Sequence, residues 1–375
     1  MKDVVIRPTI RARQVDEVQR INSHVEAGRT PIWVLLGAKH GDNQQLLAIA
    51  EALNLPFRTI ALQFNRLARQ APVLLGASRL SWHTDVPLEA PWPRALLAAG
   101  RKSVPAARWI RQQSGGRTRL IHVNRPWAPL AWFDLIVSTP QYALPERPNV
   151  LANLLPFARV PKDAMPHAAL PIESAALPRP WTGVLVGGKS RPFVLNDNGA
   201  ADLAKTVSAL VRKTGGSAWI LGSPRTPSAA MQIVEQDLTV PSHVVRWGQG
   251  ENLYGAVLDL VDSFVVTSDS ASMLTDALLT GRPVTRFELP LEPDLKWRIA
   301  SAWRAAALHS PGSMIARSFE AAVNIGLLSS VRDLGRLHRA LNEAGLFSPD
   351  GRPRELAESE RRRTLDRVAR VIEGA

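Results

Sequence analysis

The chain has 375 residues, 45% of them hydrophobic, a formal net charge of +13 and no cysteine. Those values describe a globular chain with room for about two domains, and they exclude disulfides, thiolate nucleophiles and zinc–thiolate centres. There is no apolar run of about 18 residues, so no membrane-spanning helix is expected.

Residues 1–30 are polar and carry no apolar signal core. They read as an N-terminal extension without a secretion signal, in which Val15, Val18, Ile21 and Val25 have helical spacing. From Ile32 the pattern turns to alternating strands and helices. Ile32–Leu36 is a short apolar strand, 37–43 a glycine-rich turn and 44–53 a helix with Leu46, Leu47, Ala50 and Leu53 on one face. The stretches 57–62, Arg119–Val123 and Leu135–Ser138 read as further strands. Strand–helix alternation implies a parallel sheet with crossover helices.

Between Arg94 and Arg125 lie eight basic residues and no acidic one, interleaved with Trp92 and Trp109 and flanked by Trp82, Trp127 and Trp132. Tryptophan with arginine suits a lipid headgroup region. A solvated arginine face over core tryptophans is the alternative. Nucleic acid is disfavoured, because no recognition motif is present.

The proline-rich stretch 140–180 marks a domain junction. A second α/β unit follows, with strands at 182–186, 217–221, 244–247 and 264–266, a helix capped by Asp197 or Asn198, and another at 253–260. From Ser318 the chain reads as helical, ending in the stripe Leu365, Val368, Ala369, Ile372. The expected division is an extension at 1–30, a first domain at 31–165, a second at 175–345 and a helical tail at 346–375.

Three turns at predicted strand ends can carry chemistry. In the first, His40 and Asp42 are candidate general bases; helix capping by Asp42 or Asn43 is the plainer reading. In the second, Gly187, Gly188, Lys189, Ser190 and Arg191 offer glycines, a hydroxyl and two cations to a phosphate. Neither the P-loop spacing nor G-x-G-x-x-G is present. In the third, 267–284, a strand runs into a serine-rich helix start. Ser268, Ser270 and Ser272 can donate to phosphate or cap the helix, and Asp276 can accept two sugar hydroxyls. Asp269 would repel a diphosphate unless its carboxylate points away. No H-x-x-x-H pair or D-x-D cluster suggests a metal, and G-x-S-x-G is absent.

Residues 41–45 through 50–53, 148–151, 186–190 and 267–273 with 280–284 resemble the mitochondrial-fission ELM family, which includes many bacterial proteins. The resemblance covers roughly residues 31–345. It implies a GT-B-like α/β fold, two Rossmann-like domains facing a cleft, with the donor nucleotide held mostly by the second. The family commonly has glutamate at the helix position that the shorter Asp276 occupies here. The implied activity is metal-independent sugar transfer from a nucleotide-sugar, with no separate cofactor. His40 or Asp42 would be the base, and an envelope lipid or glycolipid the acceptor. Residence in the cytoplasm, peripheral to the inner face of the membrane, would follow. The alternatives are a non-catalytic adaptor on the same fold and a nucleotide-sugar 2-epimerase.

Overall fold

The computed structural model describes residues 31–159, 176–326, 328 and 332–374. The helix expected at 15–25 lies outside them. The first domain contains β1 (Ile32–Leu36), α1 (His40–Ala52), β2 (Phe57–Ala61), β3 (Gln63–Phe64), α2 (Pro72–Leu75), β4 (Trp82–His83), β5 (Ala95–Ala99), α3 (Val104–Gln113), β6 (Arg119–Val123), β7 (Leu135–Ser138) and β8 (Val150–Ala152). Its sheet runs β2-β1-β5-β6-β7-β8, all parallel. β1 and β5 are buried along their whole length, as strands covered on both faces must be. Alternate residues serve opposite layers: Ile32, Val34 and Leu97 pack with α1, whereas Trp33, Leu35 and Leu96 pack with α3.

The second domain contains β9 (Trp181–Val186), the hairpin β10 (Lys189–Ser190) and β11 (Phe193–Val194), α4 (Asp197–Thr214), β12 (Ser217–Gly222), α5 (Ser228–Asp237), β13 (Ser242–Val245), α6 (Tyr254–Leu260), β14 (Ser263–Thr267), α7 (Ala271–Leu279) and β15 (Val284–Phe287). Its parallel sheet has the order β13-β12-β9-β14-β15. Four helices follow: α8 (Leu295–His309), α9 (Met314–Asn324), α10 (Leu334–Glu343) and α11 (Pro353–Glu373). No helix of the described residues is long and apolar enough to cross a membrane.

Both sheets are doubly wound. The first reverses direction between β1 and β5, as in a flavodoxin-like sheet, and the second between β9 and β14, in Rossmann order. Their carboxyl edges face each other: His40, after β1, packs its ring on Trp247, after β13, at 5.8 Å. Gly41 lies so near α7 that a Cβ on it would be 3.3 Å from Ser272 Oγ. The result is the GT-B-like arrangement, two α/β domains facing a cleft with a helical C-terminus.

The chain end is not an appendage. α11 returns to the first domain, where Val368 and Ile372 join the core beside Ile32 and Leu135. Glu360 accepts the Leu154 and Leu155 N–H groups at 2.5 and 3.1 Å, and Thr364 Oγ1 accepts from Asn153 Nδ2 at 2.9 Å. The tryptophans also differ from a lipid-facing belt. Trp82 is buried, Trp109 packs on it, Trp92 packs on Trp33 and on Trp109, and Arg108 stacks over Trp132 at 3.6 Å.

Candidate functional site

Ligands bind open α/β sheets at the carboxyl edge where strand order reverses. In the second domain that crevice is built from the turns after β9 and β14. Thr267 Oγ1 accepts the Gly187 N–H at 2.8 Å and donates to Asp269 Oδ1 at 2.8 Å. Asp269 also accepts the Gly188 N–H at 3.1 Å and pairs with Arg225 at 2.7 Å. The Asp269 carboxylate therefore points into the protein. Both glycines are required: a Cβ on Gly187 would overlap the Asp269 carboxylate, and one on Gly188 would overlap the Arg225 carbonyl. Their N–H groups serve this internal network.

The positions named from sequence divide accordingly. Lys189 is exposed on the hairpin. Ser190 is buried and bonded by Arg332, and Arg191 pairs with Asp294 at 3.3 Å. Ser268 Oγ accepts the Leu289 N–H at 3.0 Å, which ties β14 to the chain beyond β15. Ser270 is the N-cap residue of α7 but makes no side-chain cap, and Ser272 faces Gly41 across the cleft. The first turn of α7 thus presents N–H donors and the positive end of the helix dipole to the crevice.

Asp276, one turn further on, accepts the Tyr254 hydroxyl at 2.8 Å. Burial pushes its pKa up to about 6, opposed by that hydrogen bond and by the Arg159 charge. The Tyr254 hydroxyl is pushed well above its usual range by burial and by the adjacent carboxylate.

On the facing edge, α1 begins at His40, four residues before the expected start at 44. The N-cap is Lys39, again without a side-chain cap. Asn43 does not cap: its amide donates to the Gly37 carbonyl and accepts the Gly37 N–H, both at 2.9 Å, and so closes the turn. Asp42 accepts from Asn124 Nδ2 at 3.1 Å and lies 3.9 Å from Lys39 Nζ. Asn124 holds a left-handed backbone, φ 67°, which asparagine tolerates. His122, behind it, places Nδ1 3.0 Å from the Asn124 carbonyl; burial lowers its pKa to about 4, so it is neutral.

Several residues at this crevice were not read from the sequence. Arg225 sits in the turn after β12, and Trp247, 38% exposed, follows β13. Arg332 reaches Ser190 from beyond α9, and Tyr254 opens α6. None of them falls in a motif that would flag it.

The sequence pattern of the family described as Mitochondrial fission ELM1 matches residues 40–325. The Mitochondrial fission protein ELM1 of Arabidopsis thaliana is 29% identical over 256 residues, covering 60% of this chain and 57% of that protein's length. Uncharacterized protein RP120 of Rickettsia prowazekii is 22% identical over 310 residues, covering 72% of this chain and 86% of that one. Among solved structures, Spinosyn Forosaminyltransferase SpnP has a TM-score of 0.49 at 11% identity, covering 92% of this chain and 100% of that chain. The UDP-GlcNAc 2-epimerase from Methanocaldococcus jannaschii has 0.43 at 10%, covering 89% of this chain and 99% of that one. With its match running from the first residue of α1 to just past α9, the chain belongs to the mitochondrial fission ELM1 family.

Proposed function

We propose that the protein is a metal-independent glycosyltransferase that takes a nucleotide-sugar donor in the second domain. The observation that carries this reading is the α7 N-terminus. It lies at the β9/β14 reversal, no side chain caps it, and Arg225 stands beside it, held by the buried Asp269. A diphosphate there meets helix N–H groups and a guanidinium, which together stabilise a departing anion without a metal. Asp276 accepts the ribose hydroxyls, and Trp247 offers its exposed face to the base.

In the transfer step an acceptor hydroxyl forms a bond to the anomeric carbon while the bond from that carbon to the diphosphate oxygen breaks. The diphosphate leaves with the electron pair, and the hydroxyl proton goes to His40 or Asp42. The nucleotide-sugar is substrate, and no further cofactor is needed. The acceptor in this reading is an envelope lipid or glycolipid, met by a cytoplasmic protein at the inner face of the membrane. The adaptor alternative expects a filled or disrupted cleft, whereas the first turn of α7 has no side-chain cap of its own. A 2-epimerase needs a second acid–base group on the same sugar carbon. His122, buried and neutral behind Asn124, does not supply it.

A thermal-shift screen with uridine, guanosine, cytidine and adenosine diphosphates tests the donor site. A ligand that binds only the folded state raises the melting temperature with its concentration. At least one of the four should do so; no rise with any of them contradicts the reading.

A further inference from the structure

Residues 65–81 leave the carboxyl edge of the first sheet after β3 and return at β4 as one closed excursion. Asn65 shuts it, donating from its backbone N–H to the Ser81 carbonyl at 3.2 Å and from Nδ2 to the Leu80 carbonyl at 2.7 Å. Ala68 and Pro72 anchor it in the protein. Leu67, Leu74 and Leu80 are left in solvent, Leu74 at 77% exposure. Arg66, Arg69 and Arg79 are exposed among them, and no acidic residue occurs from 64 to 84.

The second domain meets this excursion at the end of α9. Gly326, just past α9, lies where a Cβ would be 2.8 Å from Pro72 Cδ and 3.6 Å from Ala71 Cβ, so the end of α9 abuts α2. Val323 packs there with Trp127 and Tyr142. Along the α8–α9 hairpin, Met314 is 85% exposed, and Ile315, Ile325 and Arg317 are exposed as well. The exposed Glu320 of α9 is within electrostatic reach of Arg125.

We propose that this two-domain surface, aliphatic tips set among arginines beside the mouth of the cleft, seats the protein on an anionic lipid bilayer. A protein groove would collect its apolar residues in one concavity. Here they project singly from two elements, with charge of one sign between them on the first. That is the pattern of an interfacial anchor: aliphatic side chains enter the headgroup–acyl boundary and guanidinium groups meet lipid phosphates. The tryptophan–arginine stretch 94–125 does not play this part, because its rings are spent on packing. The inference deepens the lipid-acceptor part of the proposed function, bringing a bilayer to the first-domain lip of the cleft. It does not depend on which donor binds.

The test is flotation of the full chain with vesicles of phosphatidylcholine alone or with about 30% phosphatidylglycerol. The wild type should float with the anionic vesicles. The double variant Leu74→Glu/Met314→Glu should lose at least about fivefold of the bound fraction. Leu55→Glu, an exposed leucine at the opposite edge of the first domain, should bind as the wild type does. An unchanged melting temperature shows the double variant folded, and its diphosphate-induced shift reads the donor site separately. Absence of wild-type binding to anionic vesicles, or undiminished binding by the double variant, overturns the proposal. So does a wild-type dimer that the double variant splits and that ignores vesicles, since the face would then be a contact between copies.

Discussion

Asp269 is buried, and its charge is met by the Arg225 guanidinium, the Thr267 hydroxyl and the Gly188 N–H. Replacing it with asparagine leaves Arg225 without its counter-charge and weakens an acceptor of three donors. The expected cost is about 2–4 kcal/mol in urea unfolding, together with loss of diphosphate binding, because Arg225 is released. The sequence posed the question of where this carboxylate points but not the answer, since Arg225 lies 44 residues away in another turn. Asp276 makes a pH prediction. Its folded pKa of about 6 lies above the ordinary 3.8, so between those values the folded state binds more protons than the unfolded one. Stability contributed by this group is present at low pH and is lost as pH rises through about 6. Asp276→Asn should raise the pH 7 unfolding free energy by roughly 1–3 kcal/mol and flatten the profile between pH 4 and 6. An unchanged profile would mean that the carboxylate is not held in this environment.

At the scale of elements, α7 was legible from sequence because every signal agreed. An apolar strand, a serine at the N-cap, an apolar helical face and a Gly281–Arg282–Pro283 stop all point the same way. β5 was not legible. Its sequence, Ala95-Leu96-Leu97-Ala98-Ala99, is rich in helix formers, and only burial between β1 and β6 makes it a strand. The start of α1 was misplaced because glycine and histidine are weak helix formers. Asn43, clamped on Gly37, fixes the turn that leads them into the helix. The helix over Asp197–Thr214 is capped by Asn196, whose Oδ1 accepts the Gly199 N–H at 2.9 Å, one residue before the two candidates. Close packing makes Gly187 and Gly188 sensitive backbone positions of the crevice. Gly187→Ala should lower the melting temperature by several degrees and abolish the diphosphate-induced shift, while Gly215→Ala, where a Cβ meets open space, costs only its positive φ of 72°.

At the scale of the molecule, two α/β units could be foreseen from repeated strand, glycine turn and helix, and their facing edges only from the family resemblance. The return of α11 could not, because its stripe of Leu365, Val368 and Ile372 says that the helix is buried but not against which domain. Glu360 on that helix is pushed up by burial and held by two N–H groups of the segment after β8. Ile372→Ala should therefore destabilise the first domain, by about 2–4 kcal/mol in equilibrium unfolding. The central claim is that two domains meet around a diphosphate held by the open first turn of α7. Calorimetric titration of the wild type and of Ala271→Pro with the stabilising nucleoside diphosphate tests it most directly. Proline is tolerated in the first turn of a helix, and Ser270 before it is already extended at φ −124°, ψ 100°, so the substitution removes one N–H and little else. The expected result is a folded variant that binds roughly tenfold more weakly or worse; binding equal to the wild type would contradict the claim.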